Sequence, residues 1–324
     1  MAMELIGVGG MTNELKQTYD RKLLSVAEKN LVFMNYGEKR PIPARGGKSI
    51  EFRRFEKITV TAGSYTLTEG TPPTETTATI SKVEATISQY GMYSKISDVL
   101  ETQAFDPIIA EYTEKYGIAM AEALDIVVRD VVSATTTVQY ADSATVVGTS
   151  GAGAVGSGNR LDAAELTEAL RTLKRADVKP VMDDRYICIV HPDNVKDLFD
   201  DTTIVQAFQY AQMRGGENPL FTGVLGDWMG IRFVETTNLK VRASYGMSGA
   251  DIYEVLLLGK EAYAISELSA MAAKLIVHPR GTGGHTDPLE QYSTLGWKAA
   301  LAAVILNQNH LVKIYCTSSR SNAA

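Results

Sequence analysis

AFDPIIAEYTEKYGIAMAEALDIVVRDVVSA, residues 104–134, predicts one long α-helix around which the rest of the chain is arranged. Asp106 and Pro107 suit its first turn, because a carboxylate accepts unpaired amides and proline is tolerated there. A helix of about 30 residues spans about 45 Å and needs other elements packed along it. Apolar residues recur every three or four positions and predict the buried stripe; they are Ile109, Tyr112, Tyr116, Met120, Leu124, Val127 and Val131.

Composition narrows the classes of protein. The 324 residues carry 32 basic and 38 acidic side chains, a net charge of −6, so any contact with nucleic acid should be local rather than a tight wrap. Cys188 and Cys316 have no CxxC partner, which argues against a disulfide scaffold or a zinc site and favours a reducing cytoplasm. We expect no transmembrane span, because no run of about 18 apolar residues occurs. We also expect no secretion signal, because the N-terminus lacks a basic leader followed by a long apolar core.

Residues before the long helix predict an N-terminal arm and then a hairpin. The arm, residues 1–48, includes an amphipathic helix over residues 13–35 that PIPARGGK ends. Residues 49–98 alternate polar and apolar side chains in two runs around a Gly/Pro-containing tip, which predicts a long two-stranded hairpin. Arms of about 13 residues would reach about 40 Å. Because an isolated ribbon is marginally stable, it should lie on its own domain or on a neighbouring subunit, and the pattern leaves both open.

Residues after the helix predict a polar linker up to residue 159 and an α/β unit over residues 160–275. Within this unit, Asp162 and Glu165 form a capping box for a helix to residue 174, and residues 195–208 predict another helix. Strands are predicted at residues 186–190 and 231–236 and in the runs IYEVLLLG and EAYAISEL. The C-terminal part predicts a buried strand over residues 297–306 and a closing strand over residues 311–316.

A GxGxxG pattern at Gly151, Gly153 and Gly156 raises the alternative of a nucleotide-binding enzyme. Dinucleotide binding needs a buried strand directly before the first glycine and a helix that starts within the pattern. Here the preceding run is polar-edged and the next helix starts about six residues later, so a flexible linker is the favoured interpretation.

Other polar residues predict no catalytic, cofactor or metal site. The four histidines, His191, His278, His285 and His310, are scattered, and no hydrolase or P-loop motif occurs. The carboxylate pairs Asp183–Asp184 and Asp200–Asp201 are read as solvated. Residues 37–57 hold seven basic and three acidic residues, so they predict either a solvated face or a patch for an acidic neighbour or packaged nucleic acid. The basic residues are Lys39, Arg40, Arg45, Lys48, Arg53, Arg54 and Lys57.

The order of these segments and several phrases resemble the major capsid proteins of tailed bacteriophages with the Hong Kong 97-like fold, of the podovirus type. Besides the long helix, the phrases are LKQTYDRKLL (15–24), GGKSIEFRRFEKI (46–58), TEGTPPTE (68–75), YGMYSKISDVLE (90–101), IVHPD (189–193), DLFDD (197–201), GIRFVETTN (230–238) and DPLEQYSTLGWKAALAAVILN (287–307).

This resemblance implies an α+β fold with five parts. They are an N-terminal arm (1–48), an extended β-hairpin loop (49–98), a peripheral domain with a spine helix and linker (99–159), an axial α/β domain (160–275) and a C-terminal return to the peripheral domain (276–324). The extended loop of the family lies over an adjacent subunit. Candidate intersubunit contacts in this chain are therefore Phe52, Arg53, Arg54, Phe55, Tyr65, Leu67, Glu69, Pro72 and Pro73.

The function implied is a non-enzymatic capsid subunit of the virion. It would assemble in the host cytoplasm into hexamers and pentamers of an icosahedral shell around double-stranded DNA, which it contacts non-specifically. Partners implied are other copies of the chain, a portal protein, a separate scaffolding protein and, optionally, a decoration protein, with no membrane and no cofactor. An alternative with the same fold is the shell of a bacterial nanocompartment.

Overall fold

The computed structural model of the chain describes residues 32–43, 47–58, 60, 65–67, 69–71, 75, 77–103, 108–143, 155–211, 226–268, 273–281 and 288–320. The predicted helix over residues 13–35 lies mostly outside the described residues. Its end coincides with α1, Phe33–Tyr36, a single helical turn. Asp106 and Pro107, the predicted start of the long helix, also lie outside them.

The predicted long helix is present as α3, Ile108–Val132, and the shorter α2, Asp98–Gln103, precedes it. The 25 residues of α3 form a rod of about 37 Å. Its buried apolar residues are Tyr116, Met120, Ala121, Leu124, Val128 and Val132.

The buried stripe of α3 is rotated relative to the predicted one. Tyr112 is 40% exposed, and Val127 and Val131 are only partly buried. Two polar residues, Thr113 and Asp125, are buried instead. Periodicity treats polar side chains as solvent-facing, but each of these has a partner inside: the Thr113 hydroxyl donates to the carbonyl of Ile109, and Asp125 accepts from the amide of Phe33.

The first sheet is built around one long strand that covers α3. β11 and β12 pair with different parts of one edge of β13, and β4 pairs with its other edge. β1 pairs with β11. Leu295 and Trp297 of β13 belong to the same core as Tyr116 and Met120 of α3. The strands are β1 (Glu38–Lys39), β4 (Ser88–Ser97), β11 (Tyr263–Glu267), β12 (Lys274–His278) and β13 (Tyr292–Ile305). The predicted buried strand near residues 297–306 is thereby confirmed and extended towards its N-terminus.

The predicted hairpin is shorter than its sequence pattern suggested. Strands β2 (Ser49–Phe55) and β3 (Ile80–Thr86) pair antiparallel over seven residues each. The paired arms therefore span about 23 Å rather than the predicted 40 Å. The second run does not continue in the hairpin, because β4 turns away after Ile87 and pairs along its ten residues with β13.

The second sheet contains the predicted α/β strands and the closing strand. Its order is β5–β14–β10–β6–β8–β7, with β9 paired to β10. All residues of β6, β10 and β14 are buried, and each fully buried aliphatic side chain contributes about 1.5–3 kcal/mol. The strands are β5 (Val138–Tyr140), β6 (Tyr186–Val190), β7 (Asp227–Trp228), β8 (Ile231–Glu235), β9 (Val241–Arg242), β10 (Ile252–Leu258) and β14 (Leu311–Cys316).

Three helices accompany the second sheet. The capped helix is present as α4, Ala163–Arg175, and the Asp162 carboxylate accepts the amide of Glu165 at 2.9 Å. The helix predicted over residues 195–208 is two helices, α5 (Pro192–Asp200) and α6 (Thr202–Ala211). They are separated at Asp201, whose backbone is extended and whose carboxylate accepts the amide of Thr203.

The two sheets share one core through the C-terminal strands. β13 and β14 follow each other, separated by a turn at Gln308–His310, and lie in different sheets. Two strands within or beginning in the predicted axial region, β11 and β12, also belong to the first sheet. The five-part division of the chain stays a prediction. Among the described helices, none is long and apolar enough to span a membrane.

Candidate assembly surfaces

The base of the hairpin is anchored on its own chain. Phe52 is 6% exposed and packs with Ala85 against Ala264 of β11 and Ala302 of β13. Because side chains alternate between the faces of a strand, Ala302 lies on the face opposite Leu301, which joins the core beneath α3. The sequence left two supports open for the hairpin, its own domain and a neighbouring subunit. The base of the hairpin packs on its own chain. Phe52 is thus buried within its own chain, and its predicted contact with a second subunit stays a prediction.

Charged side chains on the hairpin are paired locally. Arg53 contacts Glu51 at 2.8 Å, and Arg54 contacts Glu56 at 2.6 Å. Arg54 also donates to the carbonyl of Leu306 at 3.4 Å. Hydrogen bonds from Ser81 and Arg54 lower the pKa of Glu56 below its usual value, so the carboxylate stays ionised near neutral pH.

The basic cluster in residues 37–57 had two interpretations, a solvated face or a patch for an acidic neighbour or packaged nucleic acid. The ion pairs of its side chains distinguish between them. Besides Arg53 and Arg54, Arg40 contacts Glu38 at 3.4 Å and Lys57 contacts Asp177 at 3.0 Å. Arg45 lies outside the described residues. Since four of the cations have acidic neighbours on the same chain, the cluster fits a solvated, internally neutralised face better than a patch for nucleic acid.

Beyond its base the hairpin exposes large apolar side chains. Phe55, Tyr65 and Leu67 are 76%, 70% and 71% exposed, and Ile58, Val60 and Ile80 are also exposed. Glu69 is exposed as well, whereas Pro72 and Pro73 lie outside the described residues. Apolar surface left open on a thin ribbon is typical of a protein–protein contact.

His191 has a structural role at the end of β6. Its Nδ1 accepts the amide of Asp193 at 3.2 Å and so caps the first turn of α5. Its ring lies against Tyr253, whose hydroxyl donates to Asp193 at 2.8 Å. Partial burial lowers the pKa of His191, which keeps the ring neutral and able to accept. The predicted strand-ending turn accounts for this histidine.

The carboxylate pairs lie in an exposed turn and at a helix end. Asp183 and Asp184 occupy left-handed turn positions with φ of 47° and 58°. Asp201 accepts the amide of Ala163 at 2.8 Å and thus helps to cap α4. In the described part of the chain, no cluster of three or more His, Cys, Asp or Glu side chains is arranged to hold a metal ion.

The described part of the glycine pattern does not have the geometry of a phosphate-binding loop. Gly151 and Gly153 lie outside the described residues. The amide of Gly156 donates to the side chain of Asn159 at 2.6 Å. The following helix, α4, begins with its amides accepted by the carboxylates of Asp162 and Asp201. Two carboxylates at that position would repel a pyrophosphate rather than bind it.

Sequence patterns missed two buried charges at α3, one within the helix and one beside its C-terminal end. Asp125 accepts the amide of Phe33 at 2.7 Å, and burial raises the pKa of its carboxyl. Lys313 of β14 is 4% exposed and donates to the carbonyl of Ser133, just past the end of α3, at 2.7 Å. Burial lowers the pKa of Lys313. The sequence signal that could have identified these residues is a single charged residue within an otherwise apolar run. The run is LVKIYC for Lys313 and ALDIVV for Asp125.

Comparisons with known proteins identify the family and the fold of the chain. The model of a family described as phage capsid protein matches residues 80–314. None of the curated proteins compared with the chain matches it.

Solved structures show the same fold at low identity. The capsid of cyanophage Pam1 has a TM-score of 0.69 at 14% identity, with 86% of this chain and 87% of that chain covered. The capsid of Ralstonia phage GP4 has a TM-score of 0.63 at 15% identity, with 89% of each chain covered. A virus-like particle from Pyrococcus furiosus has a TM-score of 0.51 at 12% identity, with 93% of this chain and 99% of that chain covered.

Proposed function

This chain belongs to the phage capsid protein family and is a major capsid protein, a subunit of the virion shell, and we propose that its hairpin joins neighbouring subunits of that shell. The fold class implied by the sequence resemblance, an α+β chain with the Hong Kong 97-like capsid fold, is confirmed.

The observation that carries the proposal is the contrast between the two parts of the hairpin. Its base buries Phe52 on its own sheet, whereas Phe55, Tyr65 and Leu67 remain at least 70% exposed. Burying such side chains on a second copy would remove apolar area from water at about 25 cal/mol per Å². Repeated by symmetry in hexamers and pentamers, modest contacts of this kind close a shell.

The wider set of partners belongs to the same proposal. Copies of the chain would assemble in the host cytoplasm with a portal protein, a separate scaffolding protein and, where present, a decoration protein. The net charge of −6 and the paired basic cluster support only loose, non-specific contact with packaged double-stranded DNA. We propose a non-enzymatic role without a cofactor.

Deleting residues 63–75 and joining the ends with a short Gly/Ser turn tests the hairpin. We expect the subunit to keep its far-ultraviolet circular dichroism spectrum, because no residue of that segment belongs to the described core. Sedimentation and electron microscopy of the protein expressed with its scaffold should show failed or aberrant closure.

Normal shells from this deletion variant would refute the bridging role. A matched control replaces Met229, an exposed residue of the β7–β8 turn, with serine, which should leave assembly unchanged. A stable small oligomer that binds NAD and never forms shells would instead favour the nucleotide-binding alternative. Shells that enclose cellular protein rather than DNA would favour the nanocompartment alternative.

A further inference from the structure

Among the described elements, three connections cross between the two sheets, and they meet at one place. They are residues 133–137 between α3 and β5, residues 259–262 between β10 and β11, and residues 306–310 between β13 and β14. The amide of Gly259 donates to the carbonyl of His310 at 2.8 Å. The side-chain oxygen of Gln308 accepts the hydroxyl of Thr135 at 2.9 Å. Because these bonds hold the three connections together, they form a single junction between the sheets.

A set of polar contacts, called the latch below, joins α3 to the second sheet away from this junction. Asn238, in the loop after β8, donates to Asp125 at 2.9 Å and accepts from Arg129 at 3.1 Å. Lys240 of the same loop contacts Asp130 at 3.6 Å. Asp125 lies about 10 Å from the C-terminal end of α3 along its axis. Since a hydrogen bond contributes only about 0.5–1.5 kcal/mol, the latch can open at a modest cost.

Beyond the latch, a cleft of about 530 Å³ separates α3 from the second sheet. Ile118 and Glu122 of α3 line one wall. Glu235 at the end of β8 and Thr237 in the following loop line the other. Both glutamates are exposed, and like charges on opposite walls repel each other. The cleft therefore leaves room for its two walls to approach or separate.

Junction, latch and cleft follow one another along α3, from its C-terminal end towards its N-terminal half. The helix packs on β13 of the first sheet, where Tyr116 and Met120 share a core with Trp297. It therefore moves with the first sheet. A small rotation about the junction would displace the walls of the cleft most and would stretch the latch on the way.

We propose that the chain contains a hinge at this junction, about which the first sheet with α3 rotates against the second sheet, and that the latch around Asn238 selects the angle. Hinges of this kind keep the packed bodies rigid and change the backbone of a few connecting residues. The hinge lets one sequence fit both pentamers and hexamers, in which a subunit meets its neighbours at different angles. This inference rests on the proposed function, since it concerns those two environments in the shell.

Distances between spin labels on the full-length chain measure the angle. Lys115→Cys on α3 with Lys174→Cys on α4 reports across the hinge. Lys174→Cys with Val241→Cys on β9 reports within the body of the second sheet. All three positions are exposed, whereas Cys188 and Cys316 are buried and should take up little label.

Asn238→Ala removes the centre of the latch. In unassembled subunits, pulsed electron paramagnetic resonance should show a distance distribution across the hinge that is at least twice as wide, with the distribution within the second body unchanged. Thr237→Ala, at the neighbouring exposed position, is the matched control and should change neither distribution. An unchanged width across the hinge, or equal broadening of both distributions, would overturn the latch.

Locking the cleft tests the role of the hinge in assembly. Glu122→Cys and Thr237→Cys on opposite walls are joined by a short crosslinker that reduction cleaves, and the subunits are then assembled with the scaffold. We expect at least a tenfold loss of closed shells in electron micrographs, restored by reduction. Ile118→Cys with Glu122→Cys, joined by the same reagent within α3, is the control and should assemble normally.

Closed shells of normal size from the locked subunits would overturn the hinge. They would leave the bridging role of the hairpin intact, because the deletion of residues 63–75 tests that role independently. A loss of shells that reduction does not restore would likewise contradict the hinge, since it would show damage by the substitutions rather than by the lock.

Discussion

At the scale of single residues, Asp125 of α3 connects three segments of the chain by hydrogen bonds, because its partners lie in α1 and in the loop after β8. Its two carboxylate oxygens accept the amide of Phe33 at 2.7 Å and the side-chain amide of Asn238 at 2.9 Å. Asn238 cannot reverse its own amide, because its oxygen accepts from Arg129 at 3.1 Å. Both terminal atoms of the side chain at position 125 must therefore be hydrogen-bond acceptors.

Asp125→Asn should lower the free energy of unfolding by about 1–3 kcal/mol, because one acceptor becomes a donor that faces the amide of Asn238. Urea unfolding followed by circular dichroism measures this loss. Glu122→Gln, at an exposed position of the same helix, is the matched control and should be neutral. A neutral Asp125→Asn variant would contradict the role assigned to this carboxylate.

The same residue predicts a pH dependence. Burial raises the pKa of the Asp125 carboxyl in the folded chain, so the folded state holds this proton to a higher pH than the unfolded state does. The resulting stabilisation is complete below the ordinary carboxyl pKa and is lost as the pH rises through the raised value. A protonated carboxyl still accepts on both oxygens, so the cost of Asp125→Asn should grow as the pH is lowered. A cost that shrinks in acid would contradict this.

At the scale of elements, Lys313 fixes the C-terminal end of α3. Its ammonium group donates to the carbonyl of Ser133 at 2.7 Å, where the helix dipole favours a positive charge. Lys313→Met keeps the length of the side chain but leaves this carbonyl without its partner. We expect a loss of about 1–3 kcal/mol in unfolding free energy and faster amide exchange in the last turn of α3 than at its centre. Lys260→Met, at an exposed position, should change neither quantity.

The helices and strands also show which features of the fold sequence patterns can predict. Periodicity predicted α3 and the buried strands because each pattern is local. It did not predict that Ser88–Ser97 pairs with Tyr292–Ile305, since the choice of a partner 195 to 213 residues away leaves no local pattern in the sequence. The break at Asp201 was missed because both flanking helices are amphipathic. Alternation along β2 puts Phe52 and Phe55 on opposite faces of the strand. The sequence did not show which of these faces is covered, because the covering sheet is formed by distant residues.

At the scale of the whole molecule, the assembly surfaces lie outside the shared core. Glu69 and Glu75 are exposed on the subunit, and residues 58–79 contain no lysine or arginine. A glutamate-specific protease should cut the unassembled subunit after these residues, whereas trypsin should not cut within this segment. In shells the docked hairpin should be protected, so its cleavage should slow at least tenfold relative to free subunits. Mass spectrometry of the fragments measures both rates, and equal rates would contradict docking.

The position of β13 and β14 along the chain has a consequence for synthesis in the cell. Both sheets are completed by residues 292–316, and β13 lies between β4 and the two strands β11 and β12. A growing polypeptide folds from its N-terminus as it leaves the ribosome, so neither sheet can close until these late strands emerge. A nascent chain therefore has neither sheet complete until residues 292–316 have left the ribosome, so the surfaces built on these sheets form late in its folding.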